Sequence, residues 1–208
     1  MKRIISFVLA LTMILTFCAC GTPGKLKPYL NGLQLGADAT DMRKIASSLN
    51  EAGTINVNGI DFDLVYTEYL NGLSYIEYLT DKTLLLAHAT TNSDHPTPQF
   101  EFDQESIVEA DEIASNFLDQ YNNAYEILAN SFGEPTSETK ADHLLTSEAL
   151  VNKSTRESAS AYWFYQGYNI QLDVQSSLHT FQADSTIGFV IWSYEMLTQL
   201  KLTITKST

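Results

Sequence analysis

Two aspartates close together in one predicted strand are the first residues whose spacing suggests chemistry. Asp61 and Asp63 are two positions apart, so a strand projects both carboxylates from one face, about 6.6–6.8 Å apart. Such a pair can hold a hard cation, or serve as glycosidase carboxylates in a small envelope hydrolase with His88 or His95 as further candidates. The alternative is that both aspartates belong to the solvated face of a half-buried strand.

Longer catalytic and metal-binding motifs are missing from the sequence. There is no Gly-rich phosphate loop, no Gly-x-Ser-x-Gly elbow, no His-Glu-x-x-His pair and no calcium-binding loop. The four histidines stand apart along the chain, none at the spacing of a zinc site. We therefore predict no metal, no cofactor and no catalytic residues, and we favour a non-catalytic protein over an enzyme.

An aromatic cluster around one turn is the strongest candidate for a binding surface. Tyr162, Trp163, Phe164 and Tyr165 are consecutive, and Tyr168 follows a glycine turn. Since neighbouring side chains of a strand point to opposite faces, Trp163 and Tyr165 share one face. A single layer of helices covers only one face of a sheet, so we expect Trp163 or Tyr165 to be exposed beside Tyr168, as a platform for a sugar ring or a partner protein. The alternative is that both faces are buried, one under the helices and one under a loop.

The first residues have the layout of an export signal. Two basic residues precede an uncharged stretch over residues 4–17, which is too short to span a bilayer. The sequence Phe17-Cys18-Ala19-Cys20, with a small residue directly before a cysteine, resembles the lipobox of bacterial lipoproteins. The resemblance implies that the signal is residues 1–19, that Cys20 carries the lipid, and that the protein is extracytoplasmic and anchored to the cell membrane. A plain signal peptide with incidental cysteines is the alternative.

Removal of that signal leaves an acidic chain without a free thiol. Residues 20–208 carry 10 basic side chains against 25 acidic ones, a formal charge near −15. This charge disfavours nucleic acid and anionic lipid headgroups as partners. Because Cys18 leaves with the signal and Cys20 is capped, no disulfide supports the domain, which depends on its hydrophobic core.

Apolar residues recur at helical spacing over residues 38–53 and 104–131. In the first helix the shared face carries Met42, Ile45, Ala46 and Leu49. In the second the stripe consists of Ile107, Ala110, Ile113, Ala114, Phe117, Tyr121, Tyr125 and Leu128. Asp38 or Thr40 is expected to cap the first helix, and Gly133 and Pro135 to end the second. A further short helix is weakly indicated near residues 147–158.

Strands are predicted between and after these helices. Asn58-Gly59 and Asn71-Gly72 are signatures of two-residue hairpin turns, which we expect to lie in one antiparallel sheet. In the first half we predict strands over 60–67, 73–80 and 83–89, a turn at Asp81-Lys82, and a last strand covered on both faces at Leu84–Leu86. In the second half we predict strands over 162–166, 168–175, 187–195 and 200–204, with a loop at 176–186.

Both halves thus run from a helix to hairpin-connected strands, which suggests a diverged repeat. Leu33-Gln-Leu-Gly36 before one helix, and Phe132-Gly-Glu-Pro135 after the other, resemble repeat units of proteins with the beta-lactamase inhibitor protein fold. The resemblance implies an α+β fold of two helix-plus-antiparallel-meander repeats, with helices on one face of the joined sheet, in a family of binding and inhibitory proteins. The expected divisions are a lipid anchor and tether (20–32), a first repeat (33–90), a linker (91–103) and a second repeat (104–208).

These observations favour a non-catalytic binding or interaction module of the cell envelope, which recognises a protein or a glycan through an open sheet face. A small envelope hydrolase, with its site assembled from distant residues, is the second hypothesis. A solute receptor of the transport type is disfavoured, since two full α/β lobes need a longer chain.

Overall fold

The computed structural model describes residues 22–70, 73–144, 156–186 and 188–207. Within these ranges a short 3₁₀ helix at Lys27–Tyr29 precedes two α-helices, α1 (Ala39–Glu51) and α2 (Gln104–Phe132). The strands are β1 (Ile55–Val57), β2 (Ile60–Phe62), β3 (Leu64–Leu70), β4 (Leu73–Thr91), β5 (Ser137–Thr139), β6 (Arg156–Tyr165), β7 (Tyr168–Thr186) and β8 (Phe189–Lys206). All pairings are antiparallel: β1 pairs with β2, and a six-stranded sheet has the order β3-β4-β8-β7-β6-β5. The predicted α+β class is confirmed.

Both long helices begin and end where the sequence predicts. Asp38 and Asp103 cap α1 and α2, because each carboxylate accepts a hydrogen bond from a backbone N–H of the first turn, at 2.8 and 2.7 Å. These bonds lower the pKa of both carboxyl groups. Gly133 ends α2 with a φ of 88°, a conformation that favours glycine. No helix in the described ranges is long and apolar enough to cross a membrane.

The core lies between α2 and one face of the six-stranded sheet, which we call the helix face. Its α2 side follows the predicted stripe, except that Ile107 and Tyr125 are only partly buried and Ala124, which was not predicted, is buried. The buried residues of α2 are Ala110, Ile113, Ala114, Phe117, Tyr121, Ala124 and Leu128. Its sheet side consists of alternate strand residues, buried at Ile76, Tyr78, Trp163, Ile170, Leu172, Val174, Met196, Leu200, Leu202 and Ile204. Alternation then requires the intervening residues to lie on the opposite face, which we call the open face.

Helix α1 contributes less to the core than the sequence predicts. Met42 and Ala46 are buried, but Ile45 is exposed, so the prediction that Ile45 faces the core is wrong. The reason is that α1 packs mainly on β3, the edge strand of the sheet, rather than on a broad sheet surface. There Asn50 accepts a hydrogen bond from the Val65 N–H at 2.8 Å and donates one to the Val65 carbonyl at 3.3 Å. Asn50 therefore occupies the backbone groups that the edge strand would otherwise expose.

The first Asn-Gly turn forms as predicted. Asn58 and Gly59 have φ values of 52° and 95°, and Val57 pairs with Ile60 across them. The second pair, Asn71-Gly72, lies outside the described residues, although Leu70 pairs with Leu73 on either side of it. The expectation that both hairpins belong to one sheet is wrong, because β1 and β2 form a separate two-stranded sheet.

The main differences from the sequence-based prediction concern strand length. Residues 81–82 and 176–186 were expected to be a turn and a loop, but they lie inside β4 and β7. The two strands predicted at 187–195 and 200–204 are not separate, because residues 189–195 and 200–204 belong to one strand, β8. Pairing along nearly the whole of β8, on both sides, supplies backbone partners that outweigh the turn preference of polar residues.

A β-bulge interrupts β4 where three leucines occur in a row. The register with β8 shifts between Leu85 and Ala87, and Leu86 is the extra residue. Leu86 is buried but Leu85 is exposed, so the prediction that this strand is covered on both faces is wrong.

The connection between α2 and β6 contains one element that the sequence does not predict. Residues 137–139 form β5, which pairs with β6 at residues 160–162. Most of the short helix expected near residues 147–158 lies outside the described residues, and its last positions, from Arg156, belong to β6.

Candidate functional site

The structure buries the tryptophan that was expected to form an exposed platform. Trp163 is 2% exposed on the helix face, its ring lies 5.7 Å from that of Tyr125, and its Nε1 donates a hydrogen bond to the Gly133 carbonyl at 2.8 Å. Tyr168 is also buried, and Tyr165 is partly buried against Phe132 at a ring distance of 5.2 Å. The predicted exposure of Trp163 is therefore wrong, because α2 and its C-terminal residues cover this face.

The sequence does indicate on which face of the sheet Trp163 lies. Tyr165 pairs with Tyr168 across the two-residue turn at Gln166–Gly167, so Trp163 lies opposite Ile170. Ile170 belongs to the alternating apolar positions of β7 that face the core. Counting residues through the turn would have assigned Trp163 to the same buried face.

The other two aromatic residues of the cluster lie on the open face. Phe164 is 60% exposed and Tyr162 is 39% exposed. They occupy neighbouring rows of the sheet, since Phe164 lies opposite Asn169 and Tyr162 lies opposite Gln171. The alternation argument is thus correct in separating the aromatic residues into two pairs, and the exposed pair is the one not singled out.

Beside Tyr162 a polar groove of about 240 Å³ crosses the open face. It spans three strands and three rows, in which Tyr162 lies opposite Gln171, Ser160 lies opposite Asp173, and Ser158 lies opposite Gln175. Lys201 of β8 lies opposite Asp173 and completes the lining. The groove therefore combines a phenol ring, a carboxylate, amides, hydroxyls and an ammonium group on rigid strands.

Hydrogen bonds between neighbouring side chains fix the groove. Gln171 Nε2 donates to Asp173 Oδ2 at 2.8 Å, and Gln175 Nε2 donates to Gln199 Oε1 at 2.8 Å. Partial burial and the negative charge of Asp173 raise the pKa of Tyr162, so its hydroxyl stays protonated and can donate a hydrogen bond at neutral pH. The amide and carboxylate groups are thus held in place before any ligand arrives.

The comparisons with protein-family models, curated proteins and solved structures found no match. The site is therefore interpreted from its own geometry and charge. The described part of the open face carries the carboxylates of Glu68, Glu77, Asp81, Asp173 and Glu195 and the ammonium of Lys201, and Arg43 of α1 lines a cavity with Glu68 and Glu77. Carboxylates outnumber cations among these side chains, which favours neutral or cationic ligands over acidic ones.

The two aspartates of the hydrolase hypothesis line one cavity, but neither histidine lines it. Asp61 and Asp63 line a cavity of about 420 Å³ against α2, and both are exposed. They are not on one strand, since β2 ends before Asp63, whose N–H bonds to the Leu79 carbonyl. His88 lies on the open face of β4, with Nδ1 3.1 Å from Ser193 Oγ, and His95 follows β4 in the linker. Among the described residues no three metal-binding side chains form a cluster.

A second cavity, of about 360 Å³, lies between α2 and β5. Three of its polar groups contact one another: the Tyr125 hydroxyl donates to Glu138 at 3.0 Å, and Lys140 lies 3.1 Å from the same carboxylate. Lys140 and Tyr125 lower the pKa of Glu138, and this carboxylate is committed to an ion pair with Lys140. The groove on the open face combines polar groups with an exposed aromatic ring, so it is the better candidate for a binding site.

Proposed function

We propose that this protein is a lipoprotein of the cell envelope and acts as a non-catalytic binding module. Its ligand is a neutral or amine-bearing glycan, which binds in the groove beside Tyr162. The observation that carries the proposal is the exposed Tyr162 ring next to amide and carboxylate groups that are fixed by their own hydrogen bonds.

Sugars require this combination of groups. The apolar face of a sugar ring stacks on an aromatic side chain, while its hydroxyls need donors and acceptors at the ring edge. The groove is smaller than the ~300–1,000 Å³ typical of sites for drug-sized ligands, so it accommodates one ring rather than a large molecule. The carboxylates of the open face disfavour acidic saccharides.

A partner protein would use the face differently. Protein interfaces concentrate their binding energy in a central apolar cluster, whereas the centre of this face is a polar row of Ser160, Asp173 and Lys201. The chemistry of the groove therefore favours a glycan over a protein as the ligand, a choice that the sequence alone leaves open. The division of the chain into two repeats of the inhibitor type stays a prediction.

Binding can be measured on an array of neutral, amino and acidic glycans, followed by titration calorimetry of the hits. Tyr162→Ala should weaken binding by about 2 kcal/mol, roughly 30-fold, because the stacking ring is an anchor residue. The matched control is Tyr66→Ala, which removes an equally exposed tyrosine of the same face outside the groove. Equal losses from both variants, or a preference for acidic glycans, would contradict the proposal.

The envelope location is tested separately. Metabolic labelling with a fatty-acid analogue should mark the wild-type protein and leave Cys20→Ala unlabelled. Labelling of both forms would remove Cys20 as the lipid site without touching the groove.

A further inference from the structure

The segment that follows the proposed lipid site is held firmly to one end of the domain. Leu26 and Tyr29 are buried in the core, although residues 20–32 were expected to form a tether. Lys25 Nζ donates to the Ser131 carbonyl at 2.9 Å, and the Tyr29 hydroxyl lies 2.6 Å from Ser131 Oγ. Lys25 also lies 5.8 Å from the centre of the Tyr165 ring. The chain is therefore fixed to the C-terminal end of α2 from Lys25 onward.

Little chain remains between this attachment and the lipid. Five residue steps separate Cys20 from Lys25, which reach at most about 18 Å when fully extended. Leu26 N–H bonds to the Pro23 carbonyl at 2.9 Å, and this turn shortens the reach further. If Cys20 is lipidated, as the proposed function requires, the end of the domain that carries Lys25 is held at the bilayer.

The turn between β6 and β7 and the end of β8 lie at the same end of the domain as Lys25. The turn consists of Gln166–Gly167, and the Ser207 N–H, just after β8, bonds to the Gly167 carbonyl at 2.8 Å. From this end the 18 residues of β8 run the length of the sheet, on the order of 60 Å at 3.4 Å per residue. The opposite end of the sheet, which we call the tip, carries the exposed Phe181, Phe189 and Ile191.

An exposed aromatic residue occupies the anchored end as well. Among the residues whose exposure is described, Phe164 is the most exposed large apolar side chain, and it lies one residue from the end of β6. Large apolar side chains, phenylalanine among them, can insert at the boundary between lipid headgroups and acyl chains. This contact is apolar, so it does not depend on the anionic lipids that the acidic chain repels.

We propose that the anchored domain stands on the bilayer with the β6–β7 turn and Phe164 in the headgroup layer and with the tip directed away from the membrane. Tyr162 lies two residues from Phe164, about 7 Å further along the strand. The groove consequently opens just above the bilayer surface, and the glycans it reaches are those close to the membrane. The apolar tip does not contact the same bilayer.

The orientation can be measured with the lipidated protein in phosphatidylcholine vesicles that contain spin-labelled headgroups. Once Cys20 is lipidated and the signal removed, the chain has no other thiol, so a single introduced cysteine can carry a fluorophore. Asn169→Cys places it beside Phe164 in the same row, and Ser185→Cys places it near the tip; both positions are exposed. We expect quenching at position 169 to exceed that at position 185 by several-fold, and Phe164→Ala to reduce it.

Flotation with the vesicles reports on the anchor independently. If both labelled proteins float and their quenching is equal, or stronger at position 185, the orientation is wrong and the lipid anchor stands. If neither protein floats, both the anchor and the orientation are overturned, while glycan binding in solution is unaffected.

Discussion

Replacing Trp163 separates a structural role from a binding role more sharply than any other substitution in the aromatic cluster. Truncation of a buried tryptophan to alanine costs about 3–5 kcal/mol. The lost hydrogen bond to the Gly133 carbonyl adds about 1 kcal/mol, since Gly133 is exposed and water can replace the donor. Trp163→Ala should therefore reduce the free energy of unfolding by about 4–6 kcal/mol.

The neighbouring Phe164→Ala is the matched control. Phe164 has about two fifths of its surface covered, so scaling the about 1.5–3 kcal/mol of a fully buried phenylalanine gives about 0.6–1.2 kcal/mol. At roughly 2–4 °C per kcal/mol for a domain of this size, the Tm should fall by roughly 8–24 °C for Trp163→Ala and by roughly 1–5 °C for Phe164→Ala.

Urea unfolding of a soluble form that begins at Thr22 measures both values. The transition should be followed by far-ultraviolet circular dichroism, because one variant removes a fluorophore. Similar losses for the two substitutions, or a loss below about 1.5 kcal/mol for Trp163→Ala, would mean that Trp163 is not the core residue that its burial and hydrogen bond indicate.

Three further outcomes are expected. Asn50→Ala should cost about 1–3 kcal/mol in urea unfolding, because both backbone groups of Val65 lose their partner; Asn50→Asp, which keeps only the acceptor, should lie between it and the wild type. Gly59→Ala should lower the free energy of unfolding by about 1–2 kcal/mol, because a φ of 95° is strained for any residue other than glycine. The added methyl would lie 3.6 Å from Ile127 Cδ1, an ordinary contact distance, so the cost is in the backbone; an unchanged urea midpoint would contradict this. Folding lowers the pKa of Asp38 and Asp103. Their contribution to the free energy of unfolding is therefore fully present above the unfolded pKa, near 3.9, and is lost as the pH falls through the folded pKa. The Tm of the double variant Asp38→Asn/Asp103→Asn should therefore fall less than that of the wild type between pH 5 and pH 2. Parallel curves of Tm against pH would contradict the capping role.

Local rules predict the helices and the first hairpin well. The stripe along α2, the cap at Asp38 and the turn at Asn58-Gly59 each depend on interactions within a few residues, and the structure contains all of them. Strand length depends on partners far away. Asp81 continues β4 because Gln199 lies opposite it, and a turn-forming residue gives no sign of that pairing.

The groove illustrates the same limit on function. Its lining comes from β6, β7 and β8, and the rows that join Tyr162 to Gln171 and Asp173 to Lys201 exist only once the register is set. The sequence separates the aromatic residues into two pairs, but the core face is decided by pairing across the turn at Gln166–Gly167. A polar strand residue such as Gln171 carries no local mark that distinguishes a binding position from a solvated one.

The position of β8 has consequences for the order in which the chain can fold. β8 is the last strand in chain order, yet it lies between β4 and β7 in the middle of the sheet. Tyr75 pairs with Thr205, 130 positions later, and a chain is synthesised from its N-terminal end, so this pairing forms only after β8 has been made. Until β8 emerges, β4 has an unpaired edge that includes three consecutive leucines, which is the kind of segment that aggregates. Contacts of such long range also fold slowly. Chaperones would therefore act on this chain in the interval before β8 is available, and a truncation that removes β8 would leave two partial sheets with no strand to join them.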